Sequence, residues 1–441
     1  MSAVPGQGAA APAGTGGGGA APVAPYQLPE RAVLPRQLHA RLAWDFERFK
    51  AGLPGDIPGH VRDQYRVDLS GQYAGRRIRI PFGKASGQLS MTLPEVEADA
   101  AAGLGFVVLK TVIGEDASGA RTMEPWAVHA TGMRVEPLVS RSGREGWTVT
   151  WKGRGWDRSF DEYLALYRDA LAVGARAGMP VAASMKCHLP PLGEPFRAEE
   201  YAHTVSRLIE VGGEGEGAGT IVEKDFSPTL AGDARSAARE AVLRWLDEVP
   251  ALVHGQGNVV LGLKLMNALF DDAFQVEMLR AAAGSGADFL VLFNRLFDPA
   301  GGVAYGGWDL SERNLRVLDL YRASGPHPAR PSDPYVVRTS RLPPGAVFSA
   351  TGNICSGRAM VDYALRGATS GQLHTFFQLP LSQYPATAGS RSQRALHALL
   401  FDPEQGLIAW ILALGEAGVL QPREDLLHFV DIAYGSARNT A

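Results

Sequence analysis

The chain has 441 residues and a formal charge of −3, from 43 lysines and arginines against 46 aspartates and glutamates. That balance gives no electrostatic footprint for nucleic acid and no polybasic patch for a membrane surface. The length suffices for a large core without disulfide or metal staples, and the two cysteines, Cys187 and Cys355, are too few for an iron–sulfur cluster or a four-thiolate zinc site.

No metal is therefore expected. Two distant cysteines do not read as a secreted disulfide framework, so a reducing, cytoplasmic location is the simplest expectation. No run of about 18 apolar residues exists to span a bilayer. The N-terminus has neither the basic nor the apolar region of a signal peptide. Residues 1–30 are rich in Ala, Gly and Pro and offer little apolar surface, which predicts a disordered tail, with a partner-docking arm as the functional alternative.

From about residue 78 short apolar runs alternate with amphipathic stretches. RIRIPFGKASG reads as the first strand and LPEVEADAAAGLG as a helix closed by glycine. FVVLKTVIG is the second strand, followed by the helix SFDEYLALYRDALAVGARAG with Ser159 as N-cap. MPVAASMKCH and GTIVEKDFSP are the third and fourth strands, separated by AEEYAHTVSRLIEVG. DARSAAREAVLRWLDEVPAL leads to the fifth, NVVLGLKLMN, and DAFQVEMLRAAAGSG to the sixth, ADFLVLFN. LSERNLRVLDLYRASG precedes the seventh, GAVFSATGN; SGRAMVDYALRGA precedes the eighth, TSGQLHTFFQ.

Near-continuous apolar strands alternating with helices predict parallel strands buried on both faces. Eight of them predict a closed (β/α)8 TIM barrel with loop insertions and extra C-terminal helices. An open doubly wound sheet would want a glycine-rich phosphate loop after its first strand, and none is present. The barrel with its N-terminal extension is expected over 31–390. Insertions are expected over 113–158, where GWTVTWKGRGW reads as a small hairpin, and over 300–345. Helices in 391–441, from RALHALLF and GLIAWILALGEAGVL, would pack on the barrel or form a homo-oligomer interface.

Barrel enzymes build their sites at the C-terminal ends of the strands. The residues there are Lys84, Ala85, Ser86 and Gly87; Lys110 and Thr111; Lys186, Cys187 and His188; Glu223, Asp225 and Ser227; Lys264 and Asn267; Asn294 and Arg295; Gly352 and Asn353; Gln372, His374 and Thr375. Lys110 and Lys264 stand out, because an ammonium in an apolar strand needs a compensating anion. A carboxylate inside the barrel is one candidate and an anionic ligand, or a group that becomes anionic during reaction, the other. The unit FSATGN–SGRAMVDYALRGA–GQLHTFF places a glycine turn before a helix start, where barrels often hold phosphate; plain turn chemistry is the bland alternative.

Several segments, in order, resemble the dihydroorotate dehydrogenase family. PFGKASG is similar to its first-strand segment and GLGFVVLKT to its second-strand lysine segment. GLKL followed by GADFLVLFN is similar to its strand-five lysine and strand-six asparagine, and SATGNICSGRAMVDYALRGATSGQLHTFF to its flavin-phosphate unit, with Asn353 in place of a usual second glycine. The resemblance covers about residues 78–380. It implies flavin mononucleotide (FMN) held by Ala85, Ser86, Gly87, Lys110, Lys264, Gly306, Gly307, Gly352, Asn353, His374 and Thr375, with Asn294 toward a small-molecule substrate; Arg295, where the family usually has Ser or Thr, is a further candidate substrate contact.

The substrate half departs from the pattern. The family's Asn-x-Ser-[Cys/Ser]-Pro-Asn segment appears here as Glu223-Lys224-Asp225-Phe226-Ser227-Pro228-Thr229, and its substrate-asparagine loop as WKGRGWDRSFDEY. Ser227 is the positional match for the catalytic base. A serine needs a helper for that work, and Asp225, Lys224 and Lys110 are candidates; capping the next helix is the structural alternative. Cys187 with His188 is a second acid–base candidate, though adjacent strand residues face opposite sides. Trp151 and Trp156 either stack over substrate or brace the inserted hairpin. The expected function is an FMN-dependent oxidoreductase acting on a small heterocyclic or conjugated-carbonyl substrate. Ordinary dihydroorotate oxidation and a catalytically inactive flavin- or ligand-binding scaffold are the alternatives.

Overall fold

The computed structural model describes residues 28–127, 134–150, 155–213, 219–226, 235–267, 270–294, 297–298, 303–304, 306–323 and 348–438. Eight strands form its centre: β1 (Phe82–Lys84), β2 (Phe106–Val108), β3 (Val181–Lys186), β4 (Thr220–Asp225), β5 (Val259–Met266), β6 (Phe289–Asn294), β7 (Phe348–Thr351) and β8 (Ala368–Leu373). Each pairs in parallel with the next. β8 closes the ring on β1 with Gln372 opposite Gly83, so the sheet is a barrel without edges. Most of the predicted strands are these strands, and the open-sheet alternative falls.

The helices follow as the sequence predicts: α1 (Leu93–Ala102), α2 (Phe160–Ala177), α3 (Ala198–Gly212), α4 (Arg235–His254), α5 (Asp272–Gly284), α6 (Gly307–Ala323), α7 (Gly357–Ala364) and α8 (Arg391–Phe401). Local chemistry fixes their starts. Thr92 with Glu95, Ser159 with Glu162 and Ser390 with Gln393 make reciprocal capping boxes at α1, α2 and α8. Asp271 and Ser356 cap α5 and α7 through their side chains.

Inside the barrel the lower layer is apolar. Phe106, Val108, Ala182, Ile221, Val260, Phe289 and Val291 form one buried cluster. Two glycines make room for its rings: a Cβ at Gly83 would lie 2.4 Å from the Phe106 ring, and one at Gly262 2.3 Å from the Phe289 ring. The floor of this layer comes from outside the repeat. Arg76–Ile78 does not extend β1; it pairs antiparallel with Gly71–Tyr73, and Pro81 separates it from the barrel. Tyr73 then enters the cluster and stacks on Phe106 at 3.8 Å with an interplanar angle of 8°.

Two further expectations are corrected. The second strand breaks after Val108. Leu109 still donates its N–H to Ala182, but Lys110 donates to Ser90, and pairing resumes only at Val112–Ile113 against Met185 and Lys186. The inserted hairpin exists, but its strands are Arg134–Val139 and Glu145–Thr150, joined at Ser140 and Arg144. GWTVT is thus the second strand of the pair, and its partner lies upstream. Trp151 lies outside the described residues. Trp156 is buried, donates from its ring to the Ser159 carbonyl and meets Tyr163 edge-on, so it braces the start of α2.

The C-terminal segment adds α9 (Leu407–Glu416) and α10 (Phe429–Arg438). α8 packs on α1 and on the N-terminal helix Arg36–Arg48, where His397 stacks on Phe46 at 4.5 Å; α9 packs on α7. Among the described residues no helix is long and apolar enough to cross a membrane.

Lys84, grouped with the active-face residues by sequence, turns outward instead. Its Nζ lies 2.6 Å from Asp99 Oδ1 on α1, and the Ser392 hydroxyl of α8 donates to the same oxygen at 2.6 Å. Both charged side chains are buried, so removing one strands the other. Lys84→Met should cost about 3–5 kcal/mol, read as a lowered Tm by calorimetry. Adding Asp99→Leu should restore most of the loss; a single variant as stable as wild type would contradict the pairing.

Candidate functional site

The interior changes character toward the C-terminal ends of the strands. With a period of two, the inward positions of β4 run Ile221, Glu223, Asp225, and those of β5 run Val260, Gly262, Lys264. The top of the barrel is therefore polar. It opens on a cavity of about 830 Å³, within the range that small-molecule and cofactor sites occupy.

Three ammonium groups lie on its floor: Lys110 after β2, Lys186 at the end of β3 and Lys264 on β5, each 2–3% exposed. Asp225 joins them, with its Oδ2 3.8 Å from Lys186 Nζ. Burial, then the neighbouring Lys186 and Lys264 charges, hold the Lys110 ammonium down at about 8, with Asp225 and Asp157 opposing. Lys110 reaches this position because β2 breaks there: its N–H goes to Ser90, and the Thr111 carbonyl accepts from Trp156 N–H at 2.7 Å. Hydroxyls continue the rim, Ser86 to Thr111 at 2.8 Å and Thr111 to Ser184 at 2.9 Å.

The opposite wall comes from β6, β7, β8 and the turns after them. Asn294, Gly352, Asn353, Cys355, Gln372, His374 and Thr375 line the cavity with Ala85 and Ser86. Gly352 and Asn353 both have positive φ, +109° and +53°. A Cβ at Gly352 would lie 2.5 Å from Asn314 Nδ2. Asparagine tolerates the left-handed region better than most residues, which is how Asn353 serves where the resemblance would put glycine. Asn314 of α6 anchors the wall: its amide donates to the Thr351 carbonyl at 3.0 Å and to Phe293 at 3.2 Å, and its oxygen accepts from Asn267 at 2.9 Å.

The hairpin Arg134–Thr150 forms the third wall, with Leu138, Trp147 and Val149 on the cavity. It is fastened to α6, where the Trp308 ring N–H donates to the Glu145 carbonyl at 2.8 Å and Asp309 accepts from Arg141 N–H.

Of the sequence-predicted site residues, Ala85, Ser86, Lys110, Asp225, Lys264, Asn294, Gly352, Asn353, His374 and Thr375 meet on this one cavity. Gly87 sits behind it, under the His374 ring, where a Cβ would lie 1.8 Å from Nε2. Gly306 and Gly307 do not line it; they pack against Leu138, Trp147 and Thr148 of the hairpin. Ser227 and Arg295 lie outside the described residues. Cys187 and His188 do not form an activated pair. The thiol is buried and pushed up to about 12, and His188 donates its backbone N–H to Glu200. Lys224 points away from the cavity, toward the Tyr201 and Phe226 rings and the Cys187 carbonyl.

Lys186 was named among the residues of the active face but given no role there. It carries the same signal as Lys110 and Lys264, a lysine closing an apolar strand, and counting by twos from Ala182 puts it inward.

No family model matches the chain, and no curated protein does. Among solved structures it is similar to the crystal structure of DHODH in complex with ferulenol from Eimeria tenella. The two share 14% identity with a TM-score of 0.48, over 92% of this chain and 96% of that one. The barrel assignment stands on the closed ladder of the chain itself and takes nothing from that likeness.

Proposed function

We propose that the chain is a flavin-dependent oxidoreductase that holds FMN in the cavity at the barrel mouth and acts on a small heterocyclic or conjugated-carbonyl substrate. The observation that carries this is the meeting of Lys110 and Lys264, from separate strands, on one cavity whose far wall is the Gly352–Asn353 turn with His374 and Thr375. The donor set fits the group. Ammonium, hydroxyl, amide and imidazole donors surround a space that suits an acceptor-rich ligand with an anionic end.

In this reading Ser86, Lys110 and Lys264 hold the ring system, and Gly352, Asn353, His374 and Thr375 hold the phosphate. Bound FMN supplies hydride acceptance or donation. Lys110 and Lys264 stabilise negative charge that develops beside them, an electrostatic contribution that needs no reorganisation. Asp225 is the proton-accepting group on the floor and Lys186 its positioning partner, at 3.8 Å. Asn294 faces the substrate; its backbone carbonyl is fixed by Asn267, which donates both its N–H and its side-chain amide. The hairpin residues Leu138, Trp147 and Val149 keep water from that side.

Oxidation of dihydroorotate itself is less well supported. An ionisable residue, Asp225, stands where that family carries a neutral asparagine, so the substrate side is chemically different.

Purified protein should be yellow, or become so with FMN, and FMN fluorescence should be quenched on binding. Protein that stays colourless and quenches nothing removes the reading. Lys110→Met and Lys264→Met should each weaken FMN binding by about tenfold or more, the scale of one lost charge-assisted contact of about 1.4 kcal/mol, while the melting profile stays cooperative.

The Lys110 position at about 8 sets a pH dependence. Below that value the ammonium is charged and attracts the anionic ligand; above it the charge is lost. Above about pH 7, where the phosphate is already a dianion, FMN affinity should therefore hold up to about pH 8 and fall beyond it by up to about tenfold per unit, the limit for one coupled proton. Fluorescence titration across pH measures this. Lys110→Met should flatten that part of the profile, and an unchanged slope would assign it elsewhere.

A further inference from the structure

Below the cavity floor lies a carboxyl group that the proposed chemistry does not use. Glu223 points into the barrel one inward position beneath Asp225 and is fully buried. Its Oε1 accepts from the Tyr73 hydroxyl at 2.6 Å and from the Gln372 side-chain amide. Among the described residues, its Oε2 and the Gln372 Oε1 have no hydrogen-bond partner. An ionised carboxylate is acceptor-only, and so is an amide oxygen, so the ionised form leaves two buried acceptors without a donor. A proton on Glu223 supplies one.

The groups that act on it come from every side: Tyr73 of the N-terminal hairpin, Gln372 of β8, Asp225 of its own strand, Lys264 of β5 and Tyr163 of α2. The cation among them is Lys264, which also lines the cavity. Burial raises the Glu223 carboxyl, and Lys264 works against that rise.

We propose that Glu223 is held as the neutral acid beneath the cavity and serves as a positioning residue for Lys264, leaving the charge of that ammonium to a ligand above. Ionised, Glu223 would neutralise Lys264 from below and weaken its hold on any anion. The neutral acid is a property of the protein alone; its effect on a bound ring system rests on the flavin reading.

Infrared spectra of the ligand-free full chain, made with isotope-labelled glutamate, test the first half. A labelled carboxylic acid C=O band should be present at neutral pH and absent from Glu223→Gln. The buried aspartates carry no label and do not interfere. The band should disappear as pH rises, and at a higher pH in Lys264→Met, because the opposing ammonium is gone. This titration needs only the wild type and Lys264→Met, so it stands even where Glu223→Gln does not fold.

The second half is read in the FMN-loaded protein as the flavin midpoint potential against pH. Wild type and Glu223→Gln should coincide below the pH at which the band disappears, and wild type should fall below the variant above it. Absence of the band at neutral pH overturns the neutral acid. Potentials that run parallel at every pH overturn the link to Lys264. Protein that shows the band but takes up no flavin sinks the flavin reading instead, and the shift in Lys264→Met then decides the coupling by itself.

Discussion

Three buried ammonium groups on one cavity floor, with the Asp225 carboxylate beside Lys186, are the constraint around which this structure is organised. Charges taken out of water are costly unless paired, and like charges on adjoining strands add repulsion. Hydrophobic collapse alone would drive such side chains to the surface. Here the barrel geometry holds them inward: strand alternation within the closed ladder turns Lys186 and Lys264 to the axis, and the break after β2 brings Lys110 to the same floor. Part of the compensation is the Asp225 carboxylate, 3.8 Å from Lys186, which with Asp157 also opposes the loss of charge at Lys110.

That arrangement transfers the work of stability to the rest of the molecule. The lower half of the barrel is largely apolar, with glycines placed where Phe106 and Phe289 need space, Tyr73 inserted from the N-terminal hairpin and the buried Ser349 and Ser370 hydroxyls bonded to each other. The outer shell is tied by a few buried polar contacts, Lys84 with Asp99 and Ser392 on one side and Asn314 with Asn267 and Thr351 on the other. The second group matters most for the site. It fixes the ends of β5, β6 and β7 relative to α6, and α6 in turn carries the hairpin wall through Trp308 and Asp309.

Much of this was legible in the sequence, and the failures have identifiable causes. The alternation of strands and helices was readable because both have strong local signals, an apolar run for one and a cap with a 3.6 period for the other. Lys110 and Lys264 were readable because charge in an apolar strand is anomalous. Lys84 carries the same anomaly but faces α1, since β1 is only three residues long and starts after Pro81, which hides its phase. Tyr73 and the partner strand of the inserted hairpin were not readable: their roles depend on contacts between segments distant in sequence, and neither has a periodic context. Glu223 passed as one polar residue among several, because its burial beneath Gln372 and beside Tyr73 exists only after β4, β8 and the N-terminal hairpin come together.

The cavity is asymmetric, and the asymmetry limits what it can hold. Ammonium groups converge from β2, β3 and β5; neutral donors and two positive-φ residues converge from the β7 and β8 ends; the hairpin supplies Leu138, Trp147 and Val149 between them. A small inorganic anion would satisfy the floor and leave the far wall and the apolar side without contacts. An apolar molecule would leave three ammonium groups facing hydrocarbon. A ligand that meets all three walls must be acceptor-rich at one end, anionic or strongly polar at the other, and broad and apolar in its middle, because each wall is fixed by strand ends or by a helix that the Asn314 network holds in place. The flavin reading rests on that three-sided match, and in it Asp225 beside Lys186 makes the floor, rather than the wall at the β7 and β8 ends, the place where specificity would be set.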